Sequence, residues 1–265
     1  MSEALGQQLV IDNRASGIIP GEVAARTAPD GYSLLFYNNT LWVAPLIQKA
    51  SYDAVKDFVA VTLVSRSPNI LVVHSALPVT SVQQLIALAK KPESKISYGS
   101  PGIGNTIHLA SAMLNARAGT DMVHVPYKGG GPVLSALMAG EIQWMFGNPS
   151  TVLNQVKAGR LRALVVTSNE RTKSLPEVPA AAESLPGYVV TGWLGIGVPK
   201  NTPVEIVDKL NAEMVRILGE ADVKEKLNTL AFTPVGDTRE QFAAYIKSEI
   251  AKWGKAVRDS GAKAD

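Results

Sequence analysis

Hydrophobic and polar positions along the middle of the chain follow a pattern typical of strands that alternate with short helices. Short apolar runs such as Ile96–Gly99 are followed by amphipathic stretches that end at a glycine. Runs of this kind suit buried strands, and glycine just past a helix end is a common terminator. Strands alternating with helices predict βαβ units and a parallel sheet. The pattern predicts strands at 96–99, 122–125, 142–146 and 161–167, and helices at 105–117, 132–139 and 149–158.

The flanking regions predict further elements with less regular spacing. Apolar runs at 32–37, 59–64, 69–73 and 188–198 indicate strands, and a short strand at 8–13 is expected after a helical turn that ends at Gly6. Capping boxes, in which Ser or Thr precedes Glu or Gln by three residues, predict helix starts. They begin at Ser81, Thr202 and Thr238.

Composition excludes several classes of protein. The chain has 265 residues, 46% hydrophobic and 18% charged, which indicates a folded protein of one large or two small domains. No stretch reaches the roughly 18 uninterrupted apolar residues that cross a bilayer. The absence of cysteine excludes disulfides, thiolate metal sites and a Cys nucleophile. A net charge of +3 without a basic run gives little support for nucleic-acid binding but leaves a small anionic ligand possible.

A glycine-rich turn between a predicted strand and helix, at 98–106, is the most informative local feature. Such a turn presents backbone N–H groups and the positive end of a helix to an anion. Asn105 stands where a P-loop requires Lys, and Ile107 where a dinucleotide fingerprint requires a third Gly. The turn therefore favours a carboxylate over a polyphosphate, while a tight, well-capped turn without a ligand stays an alternative. Its candidate binding residues are Ser100, Gly102, Gly104, Asn105 and Thr106.

Two later turns repeat this arrangement of strand, small residues and helix start. The carboxyl ends of neighbouring parallel strands face one crevice, so the three turns are expected to lie together. The second and third turns add the candidates Tyr127, Lys128, Gly129, Gly147 and Asn148.

Uncharged hydrogen-bonding groups also follow a buried strand in the first part of the chain. These groups suit the orientation of a ligand, whereas Trp42 just beyond them is expected to be core. The candidates here are Tyr37, Asn38, Asn39 and Thr40.

Catalytic patterns are weak. The sequence has no His-Glu-x-x-His motif, and Tyr98 occupies the first glycine position of a Gly-x-Ser-x-Gly elbow around Ser100. A hydrolase or transferase using Ser100 and His108 would lack an orienting acid, and structural roles are expected for His108 and His124. We predict a protein that is not an enzyme and that has no metal site and no cofactor.

Seven stretches, taken in order, resemble the Bug/TctC family, the solute-binding receptors of tripartite tricarboxylate transporters. The resemblance extends over nearly the whole chain. The matching stretches are Val10–Arg14, Ala28–Tyr32, Tyr52–Phe58, Tyr98–Ala110, Val123–Gly129, Ala158–Leu164 and Leu185–Tyr188.

This resemblance implies an α/β, type II-like periplasmic-binding-protein fold of two lobes. Each lobe would be a mostly parallel sheet flanked by helices, with a hinge of crossing strands. Lobe I would contain residues 1–98 and 192–265, and lobe II residues 99–191. The hinge would close on a dicarboxylate or aromatic carboxylate, lined by the candidate residues above. The implied partners are this ligand and membrane permease subunits, without nucleic acid, and the implied compartment is the periplasm.

Two departures from the family pattern affect what we expect of the first lobe and of the ligand. Family members normally begin with a signal peptide, a first strand and a ligand loop, and this sequence begins in the following helix without a signal-peptide pattern. We therefore expect a first lobe that lacks a strand, and a weakly binding cytoplasmic remnant or sensor is the alternative function. The usual Phe-Asp-Asn triplet is here Phe146-Gly147-Asn148, which removes a carboxylate and argues against an amino-acid ligand.

Overall fold

The computed structural model describes residues 2–14, 18–47, 49–103, 105–188 and 190–260. Its strands are β1 (Leu35–Tyr37), β2 (Phe58–Pro68), β3 (Ile70–His74), β4 (Ser97–Ser100), β5 (Val123–Pro126), β6 (Trp144–Gly147), β7 (Leu161–Val166), β8 (Thr191–Pro199) and β9 (Thr233–Pro234). Its helices are α1 (Ser2–Leu5), α2 (Ile19–Ala24), α3 (Thr40–Ile47), α4 (Val82–Ala89), α5 (Thr106–Ala118), α6 (Gly130–Met138), α7 (Pro149–Lys157), α8 (Ala181–Ser184), α9 (Val204–Gly219), α10 (Ala221–Thr229) and α11 (Arg239–Ser260). Within these ranges, every helix is too short or too polar to cross a membrane.

The chain divides into two compact units. The first contains the described residues up to Arg66 and the segment Trp193–Lys255. The second contains Ser67–Gly192 and residues 256–260 of α11. The division falls inside the two long strands β2 and β8 and again near the end of α11.

A five-stranded sheet with the order β5-β4-β6-β3-β7 forms the second unit. Strand β4 pairs in parallel with β5 and β6, which confirms the βαβ units predicted for this region. Strand β3 pairs antiparallel with both β6 and β7. The sheet is therefore mixed, because β3 lies between β6 and β7 and runs antiparallel to both.

The insertion of β3 corrects the predicted boundary between the lobes. Residues 67–98 were expected in the first lobe but belong to the second unit. A single residue, Asn69, separates β2 from β3. The apolar pattern indicates two strands here, but it does not show that the second pairs with β6 and β7, because that pairing joins residues far apart in the sequence.

A four-stranded sheet with the order β1-β8-β2-β9 forms the first unit. Strand β1 is antiparallel to β8, and β2 is antiparallel to β9. This sheet is therefore not the mostly parallel one that was predicted. Burial on both faces indicates a strand but not its direction, which depends on the end at which the chain enters the sheet.

The predicted strand at 8–13 is wrong. These residues have no regular secondary structure, and Val10 and Ile11 are 85% and 82% exposed. Three consecutive apolar residues, Leu9 to Ile11, give no alternation that would specify one buried face. The preceding turn is as predicted, since α1 is followed by Gly6 with a φ of +65°.

The predicted capping box at Thr238 is confirmed, because the Gln241 side chain also accepts from the Thr238 backbone N–H at 3.0 Å. At Ser81 only half of the box is present, since the Gln84 side chain accepts from the backbone N–H of Thr80. Ser81 Oγ accepts from the Gln84 backbone N–H at 3.2 Å, and Thr238 Oγ1 accepts from that of Gln241 at 3.2 Å. The third is wrong, because the Thr202 hydroxyl donates to the carbonyl of Pro199 at 2.7 Å. Helix α9 accordingly begins at Val204, after Pro203 as its N-cap residue.

An aromatic cluster forms part of the core of the first unit. Trp42 stacks on Trp193 at 5.1 Å between ring centroids, as expected of a core residue. The indole N–H groups of Trp193 and Trp253 both donate to the same oxygen of Glu249, at 3.2 and 2.8 Å. Glu249 therefore links β8 to α11 through a buried carboxylate.

Candidate functional site

Three turns between strands and helices lie side by side in the second unit. They follow β5, β4 and β6, which are neighbours in the sheet and run in one direction. The backbone N–H of Tyr127 donates to the Ser100 carbonyl at 2.9 Å, and that of Gly129 to the Pro101 carbonyl at 3.1 Å. The turns predicted to lie together therefore do so, and α5, α6 and α7 begin at this edge with their N–H groups directed towards it.

Asn105 determines the shape of the first turn. Its Oδ1 accepts from the backbone N–H of His108 at 2.9 Å and caps α5. Its Nδ2 donates to the carbonyl of Gly102 at 2.6 Å. Gly102 has a φ of +144°, a conformation that L side chains rarely adopt. Thr106 is the first residue of α5, and the candidate Gly104 lies outside the described residues.

The Ser100 hydroxyl lies inside this turn rather than on its surface. Ser100 is fully buried, and its Oγ donates to the Gly102 carbonyl at 3.0 Å and accepts from the Gly102 N–H at 3.3 Å. The same Oγ lies 2.7 Å from Nε2 of His124. The structure therefore places His124, not His108, against Ser100, which corrects the pairing of the hydrolase alternative.

Two histidines stack behind the turn. The rings of His108 and His124 are 4.0 Å apart and inclined by 18°. Burial lowers the pKa of His108. Burial, with a smaller contribution from His108, lowers the pKa of His124 to about 4. Both imidazoles are therefore neutral near pH 7, and the interaction of His124 with Ser100 is one of neutral groups.

The candidate residues of the second and third turns differ in their exposure. Tyr127 is half-buried against the core, and burial and the nearby Glu141 raise the pKa of its phenol. Lys128 is exposed, and Gly129, with a φ of +108°, is the N-cap residue of α6. Gly147 is buried at the end of β6, whereas Asn148 is exposed and makes no capping hydrogen bond through its side chain.

The four candidates of the first unit form a turn of their own. Tyr37 is buried among aromatic rings, including that of Trp193 at 5.8 Å, and burial raises its pKa. Asn38 Oδ1 accepts from the backbone N–H of Thr40 at 2.8 Å and starts α3. Asn39 is buried as well. This turn and helix are local structure that the strand prediction alone did not reveal.

Sequence reasoning missed the contact of His124 with Ser100. Tyr98 of β4 lies opposite His124 of β5 and Trp144 of β6 in the sheet register. A histidine at the second position of a short strand is a weak signal without that register. In the described part of the chain, no group of three or more His, Asp or Glu side chains could hold a metal ion.

Sequence comparison shows strong similarity to one family of receptors. The family model described as "Tripartite tricarboxylate transporter family receptor" (TctC) matches residues 1–262. The UPF0065 protein of the tcbD–tcbE intergenic region of Pseudomonas sp. is 39% identical over 262 residues, covering 97% of this chain and 78% of that protein. Protein BugT of Bordetella pertussis is 32% identical, covering 99% and 82%.

Solved structures similar to this chain include two that contain a dicarboxylate. The R. palustris protein Rpa4515 with adipate has a TM-score of 0.92 at 32% identity, covering 99% of this chain and 89% of that one. MatC from Rhodopseudomonas palustris with bound malate has a TM-score of 0.87 at 29% identity, covering 97% and 90%. The protein has the periplasmic-binding-protein fold and is a substrate-binding protein rather than an enzyme. The chain belongs to the TctC family of tripartite tricarboxylate transporter receptors.

Proposed function

We propose that the chain captures a small aliphatic dicarboxylate at the three turns of its second unit and presents it to permease subunits of a transporter in the periplasm. The observation that carries the proposal is the convergence of three helix N-termini at one sheet edge. Two similar proteins of known structure contain adipate and malate. Closure of the lobes on the ligand, implied by the resemblance, stays a prediction.

The chemistry of the turns favours a carboxylate. Backbone N–H groups at a helix start stabilise an anion through short hydrogen bonds and the helix dipole, which contributes about 0.3–1 kcal/mol per exposed terminus. Hydrogen bonds to a charged group contribute roughly 1.5–3 kcal/mol each. Two or three such contacts contribute about 3–9 kcal/mol before the cost of association, against the roughly 8 kcal/mol net of a micromolar complex. Among the candidates, Lys128 is a cation on the exposed side of the second turn.

Calorimetric titration with adipate and with malate at pH 7.5 tests the proposal, with the neutral diamide adipamide as the control ligand. We expect binding of at least one diacid and at least about 100-fold weaker binding of adipamide, because the amide lacks the charge that the helix starts stabilise. A ligand at 100 times its Kd also stabilises the fold by about 2.7 kcal/mol, measurable as a higher Tm. A folded protein that binds neither diacid would contradict the proposal and favour the weakly binding alternative.

Replacement of Asn105 by alanine is expected to weaken this binding by about tenfold or more. The variant removes both the cap on α5 and the bond that holds Gly102, so the first turn loses its fixed shape. Loss of the cap also lowers the free energy of unfolding by about 1 kcal/mol.

The matched control is Asn154→Ala, at an exposed position of α7. It should leave the affinity for adipate and malate unchanged. Equal affinities for the Asn105→Ala variant and the wild type would show that the shape of the first turn does not contribute to binding.

A further inference from the structure

A row of stacked rings lies behind the first turn. Tyr98 lies between Trp144 and His124, with ring centroids 4.9 and 5.1 Å away, and His124 in turn stacks on His108 at 4.0 Å. The row crosses β6, β4 and β5 and ends on α5. Stacking with both Tyr98 and His108 restricts the His124 ring, so His124 has little freedom to turn away from Ser100.

The contacts of Ser100 favour one tautomer of His124. A hydroxyl has one proton to donate, and Ser100 Oγ is placed to donate it to the Gly102 carbonyl at 3.0 Å. The same oxygen accepts from the Gly102 N–H. All contacts of the oxygen are satisfied when Nε2 of His124 donates its own proton at 2.7 Å. This arrangement is that of the imidazole with its proton on Nε2.

The surroundings keep this imidazole neutral. The titratable rings in contact with it are Tyr98 from β4 and His108 from α5. Burial raises the pKa of the Tyr98 phenol to about 12, so the phenol is uncharged. Burial and His108 hold the pKa of His124 at about 4. The neutral form therefore persists well below pH 7.

We propose that His124 is a positioning residue of the ligand site: its Nε2–H holds the Ser100 hydroxyl, which fixes Gly102 on both its N–H and its carbonyl, and so sets the first turn in the shape that binds a carboxylate. The link to ligand affinity rests on the proposed function. The hydrogen-bond relay from His124 to Gly102 is independent of it, since these contacts join residues of the protein alone.

Three variants separate the relay from simple packing. His124→Phe keeps a ring in the stack but removes the donor, His124→Gln keeps an N–H donor without the ring, and Ser100→Ala removes the middle group. The control is His74→Gln, at the end of β3, away from the turn. Circular dichroism establishes that each variant is folded. If His124→Phe does not fold, Ser100→Ala and His124→Gln still test the relay.

The first measurement uses the ligand-free protein. Nitrogen NMR at pH 7.5 should show His124 with its proton on Nε2. The Gly102 amide resonance should shift in His124→Phe and in Ser100→Ala, and should stay near the wild-type position in His124→Gln and His74→Gln. An Nδ1–H tautomer, or an unchanged Gly102 resonance in His124→Phe, would overturn the relay whether or not any diacid binds.

The second measurement is calorimetric titration with adipate and malate. We expect His124→Phe and Ser100→Ala each to weaken binding by about tenfold, the loss of one well-placed hydrogen bond, and His124→Gln to retain affinity within about threefold. The double variant His124→Phe/Ser100→Ala should bind no more weakly than either single variant, because each of the two substitutions interrupts the same chain of hydrogen bonds. Additive losses would overturn the proposal. Failure of the wild type to bind either diacid contradicts the proposed function, and the NMR result then decides the relay separately.

Discussion

Replacing Glu249 by alanine is expected to lower the free energy of unfolding by about 3–5 kcal/mol. The residue is 4% exposed, and one of its oxygens accepts from the indoles of Trp193 and Trp253 while the other lies 3.3 Å from Lys252 Nζ. Alanine leaves two buried N–H donors without an acceptor, at a cost of roughly 1–3 kcal/mol each. The two indoles together account for the expected loss, since the Lys252 side chain is 34% exposed and water replaces its contact with Glu249.

Glu249→Gln is the informative partner variant, because its carbonyl oxygen still accepts from both indoles. It should lose roughly 1–2 kcal/mol, chiefly through the contact with Lys252. Glu225→Ala, at an exposed position of α10, is the matched control and should stay within about 0.5 kcal/mol of the wild type. Urea denaturation followed by circular dichroism gives the free energies, and hydrogen exchange locates the loss in the first unit. A loss below about 1 kcal/mol in Glu249→Ala would show that the indoles find other acceptors.

The example of Glu249 shows why part of this core could not be predicted. The apolar stripe of α11, which includes Phe242 and Trp253, indicates which face is buried, and both residues are fully buried. Glu249 lies on the same face, four residues before Trp253, but a carboxylate in a helix is usually solvated. Its burial depends on an indole from β8, and no local pattern shows that Trp193 reaches it.

The positions of the three turns were predicted, but the interactions behind them were not. Local signals are sufficient for the turns themselves: glycine after a short strand, an Asn cap and a proline-led helix place the turns after β4, β5 and β6 where the structure has them. The interactions behind the turns depend on register between strands. Tyr98, His124 and Trp144 are neighbours only because β4 lies between β5 and β6, so the sequence alone left His124 without a partner.

Replacing Gly147 by alanine is expected to lower the free energy of unfolding by about 2–3 kcal/mol. A Cβ at this position would lie 2.3 Å from Cγ1 of Val152 in α7, well inside van der Waals contact. Val152 is fully buried and β-branched, so it cannot rotate away without strain. Overpacking of this kind costs about 1–3 kcal/mol, and here it also displaces the start of α7 from the third turn.

The same contact bears on the triplet Phe-Asp-Asn that the resemblance implies for this position. An aspartate in place of Gly147 would bring in a Cβ, and the γ-methyl of Val152 occupies that space. Val152→Ala should therefore relieve the clash: the double variant should be more stable than the sum of the single losses predicts, by about 1–2 kcal/mol. Gly219→Ala is the matched control, because a Cβ there meets nothing within 4 Å. Strictly additive losses in urea denaturation would contradict the clash. If the third turn binds the ligand, Gly147→Ala also weakens adipate or malate binding, and the Val152→Ala substitution restores it.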